Sequence, residues 1–152
     1  MEKFLLANAE DMKEVADNSM DVVVSTLVLC SVRNVKQALK EVHRVLAPVS
    51  VTLVLVFQYR HLMFLHQQGG KFYYSEHVHD VPGTWLHFLQ NLLTYTIWDL
   101  CFGCQLNRNI DHLVAEEKTL FSHIDQKRFD IPLKKSLVWK LVRVHVMGVA
   151  TK

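Results

Sequence analysis

A near-continuous apolar run over residues 20–29, Met-Asp-Val-Val-Val-Ser-Thr-Leu-Val-Leu, constrains this chain more than any other feature. A strand with one wet face alternates apolar and polar residues. A run that is apolar at nearly every position suits a strand covered on both faces, as in a parallel sheet. Soon after it, Asn34 opens a segment in which Val35, Leu39, Val42, Val45 and Leu46 fall at helical spacing until Pro48 stops it. The alternation continues through a strand at 49–57, a strand at 71–75, a long aromatic-rich helix over 84–102 and a helix over 110–117. Two tail segments, 121–129 and 141–150, read as strands that can close as an antiparallel pair. Upstream, the apolar run 4–7 reads as a short strand, residues 10–16 as a brief helix and Asp17-Asn18-Ser19 as a turn. Strands alternating with helices predict an α/β domain with a mostly parallel sheet.

Composition narrows the function classes. At 152 residues, half of them hydrophobic, 21% charged and with a net charge of +2, the chain suits one ordinary globular domain. Basic residues are scattered, so no phosphate-tracking stripe forms and no nucleic-acid partner is expected. Three cysteines are an odd and small set, which argues against a disulfide framework and for a reduced, intracellular setting. The first residues lack the length and cleavage pattern of a signal peptide. Residues 49–65 are strongly apolar, but Gln58, Arg60 and His61 interrupt them. A spanning helix needs roughly 20 uncharged residues. A buried strand followed by an amphipathic turn is the better reading.

Three consecutive blocks carry a resemblance. They are N-A-E-D-M at 8–12, D-N-S-M-D-V-V-V-S-T-L-V-L-C-S-V at 17–32, and A-L-K-E-V-H-R-V-L-A-P at 38–48. Together they resemble the latter part of the methyltransferase type 11 domain of class I methyltransferases. G-G-K-F-Y-Y-S-E-H at 69–77, the Trp85 helix, G-C-Q-L-N-R at 103–108 and the terminal V-H-V-M-G-V-A-T-K are similar to the membrane-associated thiol methyltransferases of the methyltransferase-like group. The resemblance implies a Rossmann-like class I methyltransferase sheet with a C-terminal antiparallel strand pair. It implies S-adenosyl-L-methionine as cofactor and methyl transfer to a small lipophilic thiol. In open α/β sheets, ligands sit at the carboxyl ends of the strands. The resemblance therefore places Asn8, Ala9 and Glu10 beside the adenine, and Ser25, Thr26 and Leu27 on the border of cofactor and substrate. Read without it, Asn8 is a turn residue, and Ser25 and Thr26 are satisfied strand-end hydroxyls. The resemblance further implies a setting at the endoplasmic reticulum or lipid droplet membrane, reached through an N-terminal anchor that is expected to be missing from this sequence.

The family's cofactor grip, a glycine-rich turn and an acidic residue after the first two strands, should lie upstream of Phe4. The five glycines (Gly69, Gly70, Gly83, Gly103 and Gly148) include no G-x-G. The expectation is a single partial domain over 1–152 without its first two strands, weak or inactive as an enzyme. Exposed apolar strand edges invite pairing with another chain. Residues 49–68 separate Pro48 from Gly69, which the family keeps contiguous. They read as a genuine insertion or, as favoured here, as sequence from an alternative transcript or gene model. If folded, 49–57 would take the vacated sheet position or compete with 71–75.

Other constellations carry less. Cys101-Phe102-Gly103-Cys104 has redox spacing but follows a helix instead of opening one, so two small apolar side chains are the expectation. No metal centre is expected, because no second cysteine pair exists to complete a zinc site. His77-Val78-His79-Asp80 puts two imidazoles on one face of an extended segment. The resemblance sets Glu76-His77 at the carboxyl end of the fifth family strand, where His77 is a candidate to accept a thiol proton. Trp85, Phe88, Leu89, Leu92, Leu93, Tyr95, Ile97, Trp98 and Phe102 read first as core. The sharper alternatives are a lid over an apolar pocket or a face resting on a bilayer.

Overall fold

A computed structural model describes residues 5–48, 50–56, 61–67, 69–132 and 137–152. The elements run β1 (Val22–Thr26), α1 (Val35–Val45), β2 (Ser50–Val56), β3 (His61–Gln67), β4 (Lys71–His77) and α2 (Trp85–Leu93). A π-helical turn (Thr94–Trp98) leads into α3 (Asp99–Phe102), followed by α4 (Ile110–Glu116), β5 (His123–Asp130), α5 (Leu137–Leu141) and β6 (Val144–Thr151). Four strands form the main sheet in the order β1-β4-β6-β5. β1 and β4 are parallel, Val22 opposite Lys71 and Thr26 opposite Ser75. β6 runs antiparallel to both β4 and β5, so the tail closes as the expected antiparallel pair.

One face of this sheet carries the core. Phe72, Tyr74, Val146 and Ala150 pack against Val35, Leu39, Val42 and Leu46 from α1 and Ile110 and Val114 from α4. Tyr74 lies opposite Gly148 in the ladder, and its hydroxyl donates to Gln126 Oε1 at 2.6 Å. A Cβ at Gly148 would overlap the Tyr74 ring, which is why glycine stands there. On the opposite face Val22, Val24, Tyr73 and Met147 are exposed, Val24 to 70%. The reading of residues 20–29 as a strand covered on both faces is therefore corrected. Among the described residues only one face is covered, and the strand stops at Thr26, before the apolar run does.

Side chains of α1 explain a second correction. Arg44 donates to the carbonyls of Met12 (2.8 Å) and Val15 (3.0 Å), and Glu41 accepts from Met12 N at 2.8 Å. Backbone groups tied to a neighbouring helix in this way are not spent on a helix of their own, and residues 10–16 form turns. At 5–7 no strand forms, and Asn8 makes only an isolated bridge to Asp11; Phe4 lies outside the described residues. Asn34 caps α1, its side chain accepting from Gln37 N at 3.1 Å. Lys152 Nζ donates to the carbonyls of His43 (2.7 Å) and Leu46 (2.8 Å) at the other end.

Of the predicted strand 49–57, the described residues 50–56 do not enter the main sheet. β2 pairs with β3 as a separate antiparallel hairpin, Ser50 opposite Gln67 and Val56 opposite His61, while 57–60 lie outside the described residues. Pairing with the next apolar run closes a short loop, and short loops cost little entropy. Among the described residues, no helix is long and apolar enough to cross a membrane.

Candidate active site

The site is built where β1 and β4 end. Leu27, the first residue after β1, has a left-handed backbone (φ 55°), which a residue with a Cβ adopts only at a cost of about 1 kcal/mol or more. Its N–H donates to Ser75 O at 3.0 Å. Next in β4 stands Glu76, fully buried. Its carboxylate accepts from Ser25 Oγ (2.8 Å), Val28 N (3.1 Å) and Cys30 N (3.4 Å), so one side chain gathers the whole turn. The 103–108 segment closes the turn from the other side. Gln105 N donates to Cys30 O at 3.0 Å and Arg108 Nη1 to Leu29 O at 2.7 Å. These bonds bring Cys104 to Cys30.

The potential ligand atoms of Cys30, His77 and Cys104 all lie within 4.8 Å of one another. Trp98 Nε1 donates to Cys104 Sγ at 3.2 Å. The neighbouring Cys30 thiol, with His77 and Trp98 helping and burial opposing, holds Cys104 below the ordinary thiol range. The Cys104 sulfur beside it, together with burial, pushes Cys30 up. His77 is only 4% exposed, yet neither ring nitrogen has a hydrogen-bond partner. A buried polar group left so costs about 1–3 kcal/mol. These three side chains form one corner of a cavity of about 810 Å³, whose other walls include Trp98, Phe102, Ile131, Trp139 and Val142. His145, with its imidazole pushed below the ordinary range by burial, lines it too.

The residues singled out from sequence fall in different places. Leu27 and His77 line the cavity. Ser25 is turned to Glu76, and Thr26 lies on the bare sheet face, in a shallower depression of about 370 Å³. Asn8 is exposed, its side-chain oxygen accepting from Glu10 N at 3.0 Å, and Ala9 packs on the core. Glu10 accepts from Arg33 N and Asn34 N, so its rim joins the far end of the connection that starts at Ser25–Leu27. His79 does not share the site with His77, because β4 ends first. Its Nδ1 meets Asp80 O, and its ring packs edge-on against His87 at 4.9 Å. Cys101 is exposed, apart from the pair that forms. The aromatic helix divides. Trp98 is buried with Leu106 and Leu141, while Trp85, Phe88, Tyr95 and Leu100 are exposed. Sequence reasoning missed Cys30. Its only local signal was a polarizable side chain at the end of a strand-turn block.

Comparison with known proteins bears on the sequence and the fold. Residues 2–54 match the model of a methyltransferase domain family. The chain is 40% identical to human "thiol S-methyltransferase TMT1A" over 152 residues, covering 99% of this chain and 51% of that protein. It is 37% identical to human "thiol S-methyltransferase TMT1B" over 151 residues, again 99% and 51%. The chain thus spans about half the length of these relatives. Among solved structures, a SAM-dependent methyltransferase from Methanosarcina mazei superposes with a TM-score of 0.62 at 18% identity, covering 99% of this chain and 66% of that one. That likeness establishes the fold.

The Methanosarcina mazei structure is that of a SAM-dependent enzyme, and S-adenosylmethionine is the cofactor against which this site is tested. At this site an apolar cavity meets an unpartnered imidazole. Among the described residues, those lining it do not supply a grip on the cofactor itself. The carboxylates of Glu10 and Glu76 and the amides of Leu27, Val28 and Cys30 are all engaged within the protein. In sequence this chain is similar to a methyltransferase domain and to human thiol S-methyltransferases, and its fold is that of a SAM-dependent methyltransferase structure.

Proposed function

We propose that this chain provides the acceptor side of a methyltransferase for small lipophilic thiols. The observation that carries the reading is the cavity itself, with aromatic and aliphatic walls around a corner holding a buried, unpartnered imidazole. Apolar walls take up an alkyl chain, and the few polar groups converge where a thiol would lie. His77 then accepts the thiol proton on a free ring nitrogen, leaving the thiolate as nucleophile. The cofactor, when bound, supplies an electrophilic methyl group. Glu76 and Arg108 act by fixing the turn, since holding the acceptor in line accounts for much of such a rate.

Incubation of the full chain with S-adenosylmethionine and hexanethiol, hexanol or hexylamine tests this. Methylated hexyl sulfide, and no ether or methylamine, is the expected product by mass spectrometry. His77→Ala should lower its formation by about 100-fold or more. Equal methylation of the amine would reject the thiol reading. The exposed Trp85, Phe88, Leu92 and Leu100 side of the aromatic helix supports delivery of the acceptor from a lipid surface, which liposome flotation would detect.

One observation favours a second, non-catalytic reading. β1 is an edge of the main sheet among the described residues, with Val22 51% and Val24 70% exposed. A free apolar edge can take up a strand from another chain. Co-purification with a full-length relative, lost on Val24→Lys, would support that role.

A further inference from the structure

We infer that Cys30, His77 and Cys104 form a binding site for a thiophilic cation, zinc above all, with its fourth position open to the cavity for the thiol substrate. Three observations converge. The donor atoms of the three side chains lie within 4.8 Å of one another. In a tetrahedral zinc site, bonds of about 2.3 Å to sulfur and 2.0–2.1 Å to nitrogen set donors about 3.5–3.8 Å apart, so closing the cluster shortens each separation by about 1.3 Å at most. His77 is the second, independent sign. Its ring is buried, aimed at the two sulfurs, and has no partner on either nitrogen. A cation would satisfy one of them.

The third is the direction of the open side. Cys30 is buried and Cys104 partly exposed, and Trp98, Phe102 and Leu27 line the same cavity. Two cysteines and one histidine with a vacant fourth position make a ligand set typical of catalytic zinc rather than of closed structural zinc. Binding the cation releases the cysteine thiol protons to water, and the two thiolates neutralise a divalent charge, so the filled corner carries no net charge before substrate binds. The cluster spans three separate stretches of the chain, and Glu76, Gln105 and Arg108 hold two of them in place. Such outer groups orient metal ligands.

The chemistry balances simply. A substrate thiol R–SH takes the fourth position, its sulfur forming a bond to the cation, and its proton leaves to water. The bound species is the thiolate R–S⁻, with no change of oxidation state. In this arrangement His77 holds the cation instead of taking the proton. The thiol half of the inference rests on the proposed function; the cation half stands without it.

The test uses the full chain purified under reducing conditions. About one zinc per chain is expected by elemental analysis. Replacement by cobalt should give sulfur-to-metal charge-transfer absorption and intense tetrahedral visible bands. Cys30→Ser, Cys104→Ser and His77→Ala should each weaken metal binding, read by chelator competition, by more than the roughly 10–100-fold that outer-shell changes cost. Cys101→Ser should leave it unchanged, and His77→Cys, which keeps a soft ligand, should restore it if the alanine variant is merely misfolded. Adding hexanethiol to the cobalt form should raise the charge-transfer band saturably. Metal held equally by the wild type and the three ligand variants would overturn the site. So would a reduced wild-type chain that retains none. A cobalt spectrum indifferent to hexanethiol would overturn the open position. Methyl transfer unaffected by stripping the metal would reject the cation's role while sparing the thiol reading. A metal site with no methylated product would do the reverse.

Discussion

At the end of the sheet where α1 stops, charged side chains are spent on holding backbone. Arg44 ties down the 12–17 loop, Glu41 takes Met12 N, and Lys152 covers the last carbonyls of the helix. At the end where β1 and β4 stop, Glu76 performs the same service for the turn, yet beside it His77 is left with nothing to bond. Both ends bury polar groups, and only one leaves a group unsatisfied next to a cavity. Stability alone would remove such a group, so its presence marks the end where ligand chemistry belongs.

The largest effect should come from Glu76→Ala. It orphans the Ser25 hydroxyl and the amides of Val28 and Cys30, and unfolding in urea should show a loss of about 3 kcal/mol or more. Arg44→Ala, at the other end, removes bonds to two loop carbonyls from a partly exposed side chain. A loss of about 1–2 kcal/mol is expected there, with metal binding and methyl transfer unchanged. If Arg44→Ala disturbed the cavity chemistry as much as Glu76→Ala, the contrast between the two ends would collapse.

His77→Leu sharpens the contrast from the opposite direction. Replacing an unpartnered buried imidazole by an apolar side chain of similar reach should leave stability unchanged or raise it by up to about 1 kcal/mol. Thiol methylation and metal binding should be lost together. A clear fall in the urea midpoint of the metal-free protein would mean that His77 is a packing residue.

How much of this could be read from sequence differs between the two ends in the same way. The helix α1 was legible because Val35, Leu39, Val42 and Val45 share one buried stripe, and the tail strands because their apolar runs are short and bounded. His77 was legible only through the resemblance that set it at the carboxyl end of a strand. Cys30 and Cys104 were not, because their meeting depends on bonds from Gln105 and Arg108 to the turn after β1, which no local pattern encodes. The hairpin β2–β3 was half legible. Apolar runs signal strands, but the choice between the main sheet and each other is a matter of partner and loop length.

The smallest predicted effect compares a histidine at each end. His43 packs edge-on to Phe121 near Lys152, and burial, then the Lys152 charge, hold its imidazole below the usual 6.5. His145, facing His77 and Phe129, is held below the same value mainly by burial, with His77 adding to it and Arg143 O and Glu76 opposing. In each case the folded protein binds a proton less readily than the unfolded chain. As pH falls through 6.5 the unfolded chain is protonated first, so stability is complete above 6.5 and drains as pH drops toward the folded values. Urea midpoints measured on either side of pH 6.5 should therefore fall with acid. Both His43→Gln and His145→Gln should flatten the slope. His145 is 7% exposed and His43 only partly buried, so His145→Gln should flatten it more. The reverse order would mean that the Lys152 charge, rather than burial beside the cavity, dominates the acid response, and that the α1 end is the more strained of the two.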